Sequence, residues 1–333
     1  MIPIPIPNKK IVQEHCNNVI DYITNHTYDG ANTLITINFA LNKVQKGLTL
    51  DRLVKLKPKA LSKIVPLYDN YKNTILNTLL KKELTKNDCP DYETKNIEIQ
   101  YYNSLISFSK MEYFYHEFEQ KYGLDLMEKT KVKVCPYCNR YEIFNGINHK
   151  TSQFDHFIPK GVKTKYPIFA LCYFNLIPAC SNCNHIKTSN DISIISPYDT
   201  SLKNDSFYFY CTIKQNIDEI SVKLHSKSNN IKFVNGANGL NDNLELEKFY
   251  SESQIVKDKF FKIKNDVEDI KYNNYLDLLL KEYNIKTKRN KISFTKFLLD
   301  DYEKDSDFLV YPYSKITKDI AEQFHLFDLI KHI

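Results

Sequence analysis

The sequence predicts an α+β protein, mainly helical around a cysteine-framed finger that zinc would stabilise, with a small β segment after it. Three observations carry that expectation. Apolar residues recur at 3.6-residue spacing over much of residues 8–128 and again from 243 to 302. Two Cys-x2-Cys pairs, Cys135-Pro-Tyr-Cys138 and Cys180-Ser-Asn-Cys183, bracket residues 139–179. Two alternating runs, Phe207 to Ile213 and Ile220 to Leu224, follow them. A chain of 333 residues exceeds one small core, so two or three packed units are expected, and the patterning divides it into helical 1–128, the finger 129–200, and strands plus helices 201–333.

The chain opens on Met1-Ile-Pro-Ile-Pro-Ile-Pro7, an extended arm with no basic stretch leading into an apolar one, hence no signal peptide. Helices follow over Ile11 to Ile23, Tyr68 to Leu80 and Ile97 to Tyr122, with Gly123 suited to end the last. That helix carries Tyr101, Tyr102, Phe108, Tyr113, Phe114, Tyr115 and Phe118, a stripe read as core or a packing face, with a nucleic-acid stacking platform as the alternative. Ser196-Pro-Tyr-Asp199 reads as the exit from the finger. Helical spacing returns over 243–302, and Ile316, Ile320, Phe324, Phe327 and Ile330 predict one final helix. Cys16 on its helical stripe and Cys211 in its strand read as small buried hydrophobes.

Apolar content of 42% and charged content of 26% are those of an ordinary globular chain, and the longest apolar run, Ile168 to Phe174, is far too short to span a membrane. A cytoplasmic, membrane-free protein is expected. The net charge of +6 comes from 43 Lys against three Arg in a chain crowded with Asn, Ile and Tyr, so abundant lysine alone says little about nucleic acid. Its distribution says more. Residues 129–190 hold nine basic residues, among them Arg140, Lys160, Lys163, Lys165 and Lys187, against Glu142 and Asp155 alone. That window is +7 and the remainder is near neutral, placing a positive field on the finger, where a phosphate backbone would be held.

The two cysteine pairs supply four soft ligands. A Cys-x2-Cys turn sets two thiolates on one side of an ion, and a second pair from a distant part of the chain closes a tetrahedron. Cys135, Cys138, Cys180 and Cys183 are therefore the expected ligands of a structural Zn²⁺, whose binding would help fold a module poor in apolar residues. A closed four-thiolate site has no open position for chemistry.

Between and beside the pairs stand Asp155-His156, Asn175 and Asn184-His185. Phosphodiester hydrolysis needs a deprotonated water and a counter to the developing phosphate charge. Neutral histidine is the side chain best suited to take a proton near pH 7, and a divalent cation on hard oxygen ligands can serve the phosphate. Neighbours on a strand point to opposite faces, so Asp155 and His156 can serve one point only if the strand ends there, as Pro159 suggests.

The order Cys135, Cys138, Asp155-His156-Phe157-Ile158-Pro159, Asn175-Leu176, Cys180, Cys183-Asn184-His185-Ile186-Lys187 resembles the HNH endonucleases (His-Me finger, ββα-metal nucleases) over about 60 residues. The resemblance implies a hairpin and a following helix that starts near Ser181 or Asn182. It implies His156 as general base, Asp155 and Asn184 as ligands of one Mg²⁺ or Mn²⁺, and Asn175 as the residue that fixes the loop between the strands. It also implies that Lys187, Lys160, Lys163 and Lys165 contact phosphates. Many members carry His where this chain has Asn184, and His185 next door takes the ligand role if the helix begins one residue out of register.

Beyond the finger, Ser314-Lys315-Ile316-Thr317-Lys318-Asp319-Ile320 weakly resembles a stretch of bacterial HNH proteins, some of which act in antiphage defence beside an ATPase, as in Septu-type systems. The implied partners are DNA and an ATPase or other defence protein. The aromatic helices suit docking or self-association into a homo-oligomer. The rival reading is an inert zinc-stabilised nucleic-acid-binding or scaffold protein, and RNA is a third option as substrate.

Overall fold

Five helices build the first part of the molecule: α1 (Lys9–His26), α2 (Gly30–Val44), α3 (Leu50–Val54), α4 (Pro58–Glu83) and α5 (Tyr92–Thr130). In this computed structural model the described residues are 1–27, 30–83, 92–143, 152–160, 166–187, 194–215, 219–272, 282, 298–300 and 304–331. The fold is α+β. The Asn8 side chain caps α1 by accepting from Lys10 N at 3.0 Å, satisfying one of the amides a helix start leaves open. α1 buries Val12, His15, Cys16, Val19, Tyr22 and Ile23 on the face read from its spacing. That face meets α5, where Phe118 lies edge-on to both His15 and Tyr22.

α5 does not stop at Gly123. It continues to Thr130 because Leu126 and Met127 still have core to fill, and the turn comes at Lys131 in the left-handed region (φ 57°). The Pro-rich arm lies against the finger: Ile2 N donates to Pro136 O and Ile4 N to Pro197 O, both at 2.8 Å, with Ile2 and Ile4 buried.

The finger begins with a short ribbon in which Cys135 N donates to Tyr141 O and Ile143 N to Lys133 O, followed by an antiparallel hairpin of β1 (Ser152–His156) and β2 (Leu176–Cys180). Register pairs Ser152 with Cys180 and His156 with Leu176. Helix α6 (Ser181–Lys187) follows β2 without a gap, starting where the sequence placed it.

A second hairpin, β3 (Phe207–Ile213) with β4 (Ile220–Ser226), pairs Phe207 with Ser226 and Ile213 with Ile220. Alternate residues Phe207, Phe209 and Cys211 face the core, as period-two patterning requires. α7 (Ile231–Leu244) and α8 (Leu246–Glu252) pack on it, and α9 (Gln254–Tyr272) packs against α8. α7 begins twelve residues before the expected helical stretch. It comes close to the sheet at Gly236, where a Cβ would lie 3.2 Å from Ile195 and Phe207.

The last predicted helix is two: α10 (Ser314–Gln323) and α11 (Leu326–Lys331), broken at His325 with φ 59°. Phe324 and Leu326 both turn inward at that break, which one straight helix would not allow. Ser314 to Ile320 is buried throughout. Lys315 and Asp319 pair one turn apart inside the protein, and Asp319 Oδ2 accepts from Phe209 N at 2.9 Å. The Ser-Lys-x-x-x-Asp-Ile stretch therefore fastens α10 to β3 within the chain. Among the described residues no helix is long and apolar enough to cross a membrane.

Candidate metal centre and reaction site

The two Cys-x2-Cys turns meet. The four sulfurs of Cys135, Cys138, Cys180 and Cys183 are buried and lie within 4.8 Å of one another, with Cys138 Sγ to Cys180 Sγ at 4.0 Å. Zn–S bonds of about 2.3 Å in a tetrahedron give sulfur edges of about 3.8 Å. The donor set and its spacing fit a metal ion such as zinc. Each turn is held by its own backbone: Asn139 N donates to Cys135 O at 2.8 Å, and Cys183 N donates to Cys180 Sγ at 3.4 Å. Hydrogen bonding with Cys135 holds the Cys180 thiol below its ordinary range, while burial pushes the Cys135 thiol well above it.

The C-terminal part clasps the first turn. Asn139, in the left-handed region at φ 51°, donates through Nδ2 to Phe308 O and accepts at Oδ1 from Lys315 N. The Tyr250 hydroxyl donates to Cys138 O. Arg140, expected on nucleic acid, is instead buried with its guanidinium 4.2 Å from the Phe249 ring centroid and beside the Cys138 sulfur. The positive-φ residue before it turns the chain inward, and the aromatic wall and the Cys138 sulfur offset part of the cost of burying the charge.

Asp155 and His156 have separate partners. Asp155 is 3% exposed. Its Oδ2 accepts from the Tyr137 hydroxyl at 2.6 Å and its Oδ1 from Lys187 Nζ at 3.0 Å. Tyr137 is the third residue of the Cys-Pro-Tyr-Cys turn, and burial raises its phenol well above the usual range, keeping it a donor. Lys187, expected on a phosphate, is 1% exposed. It spends its ammonium on Asp155, on His156 O at 3.0 Å and on Phe157 O at 3.4 Å. Helical spacing explains the reversal: Cys183 and Lys187 are one turn apart on α6, so the face that carries the sulfur inward carries the lysine with it.

His156 is 8% exposed and sits edge-on against Tyr115 of α5, ring centroids 4.4 Å apart. Its Nε2 is 2.9 Å from Ala170 O. A carbonyl can only accept, so Nε2 carries the proton and Nδ1 is the basic nitrogen. Burial, with the adjacent Lys160 charge, lowers the imidazole well below its ordinary value, so it is neutral at pH 7. Asn175 is fully buried and fixes the loop after β1. It accepts at Oδ1 from Ile158 N (2.7 Å) and donates through Nδ2 to Ile158 O and Phe169 O (both 3.0 Å). It touches the segment that carries Ala170, and so positions His156 without bonding to its ring.

Asn184 is half-buried, its amide donating to Gln153 Oε1 at 2.6 Å, and His185 is exposed beside it. Both line an open polar hollow with Gln153, Ser181 and Asn182. Neither shares a contact with Asp155 among the hydrogen bonds of the described residues. With both Asp155 oxygens committed and an ammonium already in place, the residues as arranged do not fit the Mg²⁺ or Mn²⁺ expected there. The four cysteines are the one metal-binding cluster of His, Cys, Asp or Glu among the described residues. Lys160 is half-buried beside the Tyr115 ring, while Lys163 and Lys165 lie outside the described residues.

Three side chains of the site were missed in the sequence: Tyr115, His116 and Tyr137. Tyr137 carried a local signal, being enclosed between two ligands. Tyr115 and His116 come from α5, forty residues upstream, and nothing in the aromatic stripe marks which ring reaches the finger. Compared with protein-family models, with curated proteins and with solved structures, the chain finds no match.

Proposed function

We propose that the chain is a zinc-stabilised nuclease of the HNH kind, hydrolysing nucleic-acid phosphodiester bonds, DNA first, with His156 as the general base. The reading rests on one observation above the others: a neutral, buried imidazole whose Nε2–H is pinned to a backbone carbonyl, leaving Nδ1 to accept a proton. Such fixing of one nitrogen is how a protein commits the other to chemistry. The ordered motif and the four-cysteine centre behind the hairpin support it.

In this reading zinc holds the hairpin and α6 together, Asn175 sets the loop height, and Tyr115 holds the imidazole plane. Water loses a proton to His156 Nδ1 as its oxygen attacks phosphorus, and the leaving 3′- or 5′-oxygen departs with the bond electrons. Work in antiphage defence beside an ATPase remains part of the proposal only through the likeness of the Ser314–Ile320 stretch, whose residues serve internal packing here.

The inert reading, a zinc-stabilised binding or scaffold protein, is favoured by one observation: the Lys187–Asp155 pair fills the place a catalytic ion would take. A nicking assay on supercoiled plasmid separates the two. Wild type with Mg²⁺, Mn²⁺ or no added ion should nick, and His156→Ala should lose at least about a hundred-fold while keeping zinc and DNA retention. No nicking by wild type under any ion, with or without host extract, makes the inert reading the right one.

A further inference from the structure

The helical N-terminal region reads from sequence as packing material, yet α5 reaches the site. Four groups form a contiguous row. The His156 ring meets Tyr115 edge-on at 4.4 Å. Lys160 Nζ lies 4.4 Å from the centroid of the same Tyr115 ring. That ammonium is also 3.2 Å from Nε2 of His116, the next residue of α5. One aromatic ring thus separates a proton acceptor from a cation by the thickness of a single side chain.

We propose that Lys160 and His116 form a phosphodiester-binding pair beside His156, so that α5 supplies part of the site and not merely its support. The inference rests on the reading of His156 as the reacting base. Lysine is a donor only, so the 3.2 Å contact makes His116 Nε2 the acceptor and leaves Nδ1–H as a free donor. The pair then offers an anion an ammonium with protons to spare and one imidazole N–H, a set suited to the two non-bridging oxygens of a phosphate. His116 is exposed and Lys160 half-buried, so both can be reached, unlike Arg140 and Lys187.

Burial lowers Lys160 somewhat, while Glu112 and Glu119, one turn to either side of His116 on α5, oppose that and favour the charged form. Tyr115 restrains the ammonium from the other side. The arrangement is asymmetric in a useful way. Lys160 and His156 both contact the Tyr115 ring, so a phosphate held by Lys160 is one side chain away from the base.

The test is affinity, read separately from cleavage. Fluorescence anisotropy on a short labelled DNA duplex, and on an RNA of the same sequence, is measured without added divalent ion across a salt series. The proteins are wild type, Lys160→Gln, His116→Ala, the double variant, and Lys63→Gln as an exposed control on α4. Each single change should weaken binding about five-fold, and the double variant should bind no worse than Lys160→Gln, as coupled partners do. Lys160→Gln should also lower the slope of log K against log salt by about 0.9. The control should match wild type. His116→Ala binding as wild type does, losses that simply multiply, or a wild type that binds neither polymer overturns the pair. Binding with the expected pattern but no plasmid nicking sinks the hydrolysis reading and keeps the pair as a phosphate site. The DNA and RNA arms say which polymer supplies the phosphate.

Discussion

Replacing Lys187 by methionine should cost the finger about 3–5 kcal/mol, because it strands a buried carboxylate. The side chains of Lys187 and Asp155 are 1% and 4% exposed, so solvent screens the pair little. Methionine keeps the length and most of the apolar stem but removes three hydrogen bonds. Asp155 is then left with the Tyr137 hydroxyl alone, and the carbonyls of His156 and Phe157 lose a donor. Each uncompensated group costs about 1–3 kcal/mol, which brackets the same total. Against a typical stability of about 5–15 kcal/mol, the loss is a fifth or more.

The second half of the cycle tests the cause. Asp155→Asn on the Lys187→Met background removes the stranded charge and should recover about 2 kcal/mol or more relative to Lys187→Met alone. Urea titrations of the zinc-loaded proteins, followed by far-UV circular dichroism, measure the shifts in midpoint. A loss under about 1 kcal/mol for Lys187→Met, the size expected of an exposed pair, refutes the reasoning. So does a double variant that is less stable than either single one. The result also bears on chemistry: an ammonium that leaves at little cost would free Asp155 for a divalent ion, and one that is costly to remove keeps that carboxylate for structure.

Two further outcomes are expected. Cys180→Ser, or zinc removal by chelator, should loosen α10 and α8 as well as the finger, because Asn139 and Tyr250 tie both to the first cysteine turn. Limited proteolysis should therefore cut near 304–313 in the zinc-free protein, and a cut pattern confined to 139–179 would contradict that coupling. His15 is buried and its Nε2–H donates to Leu171 O at 2.8 Å, with burial lowering the imidazole to about 4. The unfolded imidazole titrates near 6.5, so the unfolded chain takes up a proton first. Stability from this residue is complete above pH 6.5 and is lost as pH falls toward 4, by roughly 3 kcal/mol in total. Thermal melts of wild type and His15→Phe from pH 7 to 4.5 should converge as pH falls, and parallel curves would count against it.

The helices α1, α4 and α5 and both strands of the second hairpin were legible because each depends on a repeat within its own few residues, while the start of α6 came from the resemblance alone. The cysteine pairs were legible for a similar reason. A Cys-x2-Cys turn declares two ligands locally, and only one partner pair exists to complete the set. The motif order likewise placed His156 at the end of a hairpin and Asn175 on its loop. The helix breaks were harder. Gly123 looked like a stop, but Leu126 and Met127 found core beyond it, and the last helix divided at His325 to turn two apolar residues inward.

What charge and type could not say was which polar residues face water. Lys187, Arg140 and Asp155 carry the residue types of a phosphate and ion site, yet all three are spent inside. Lys187 follows Cys183 inward by one helical turn, Arg140 finds Phe249 from more than one hundred residues away, and Asp155 is claimed by the tyrosine between two zinc-site cysteines. The aromatic stripe of α5 was read as packing, and only the docking of that helix on the finger brought Tyr115 and His116 to His156. Short-range periodicity is written in the sequence because it is enforced by the backbone. The fate of a charged side chain depends on which distant surfaces meet it, and that is decided when the chain closes on itself.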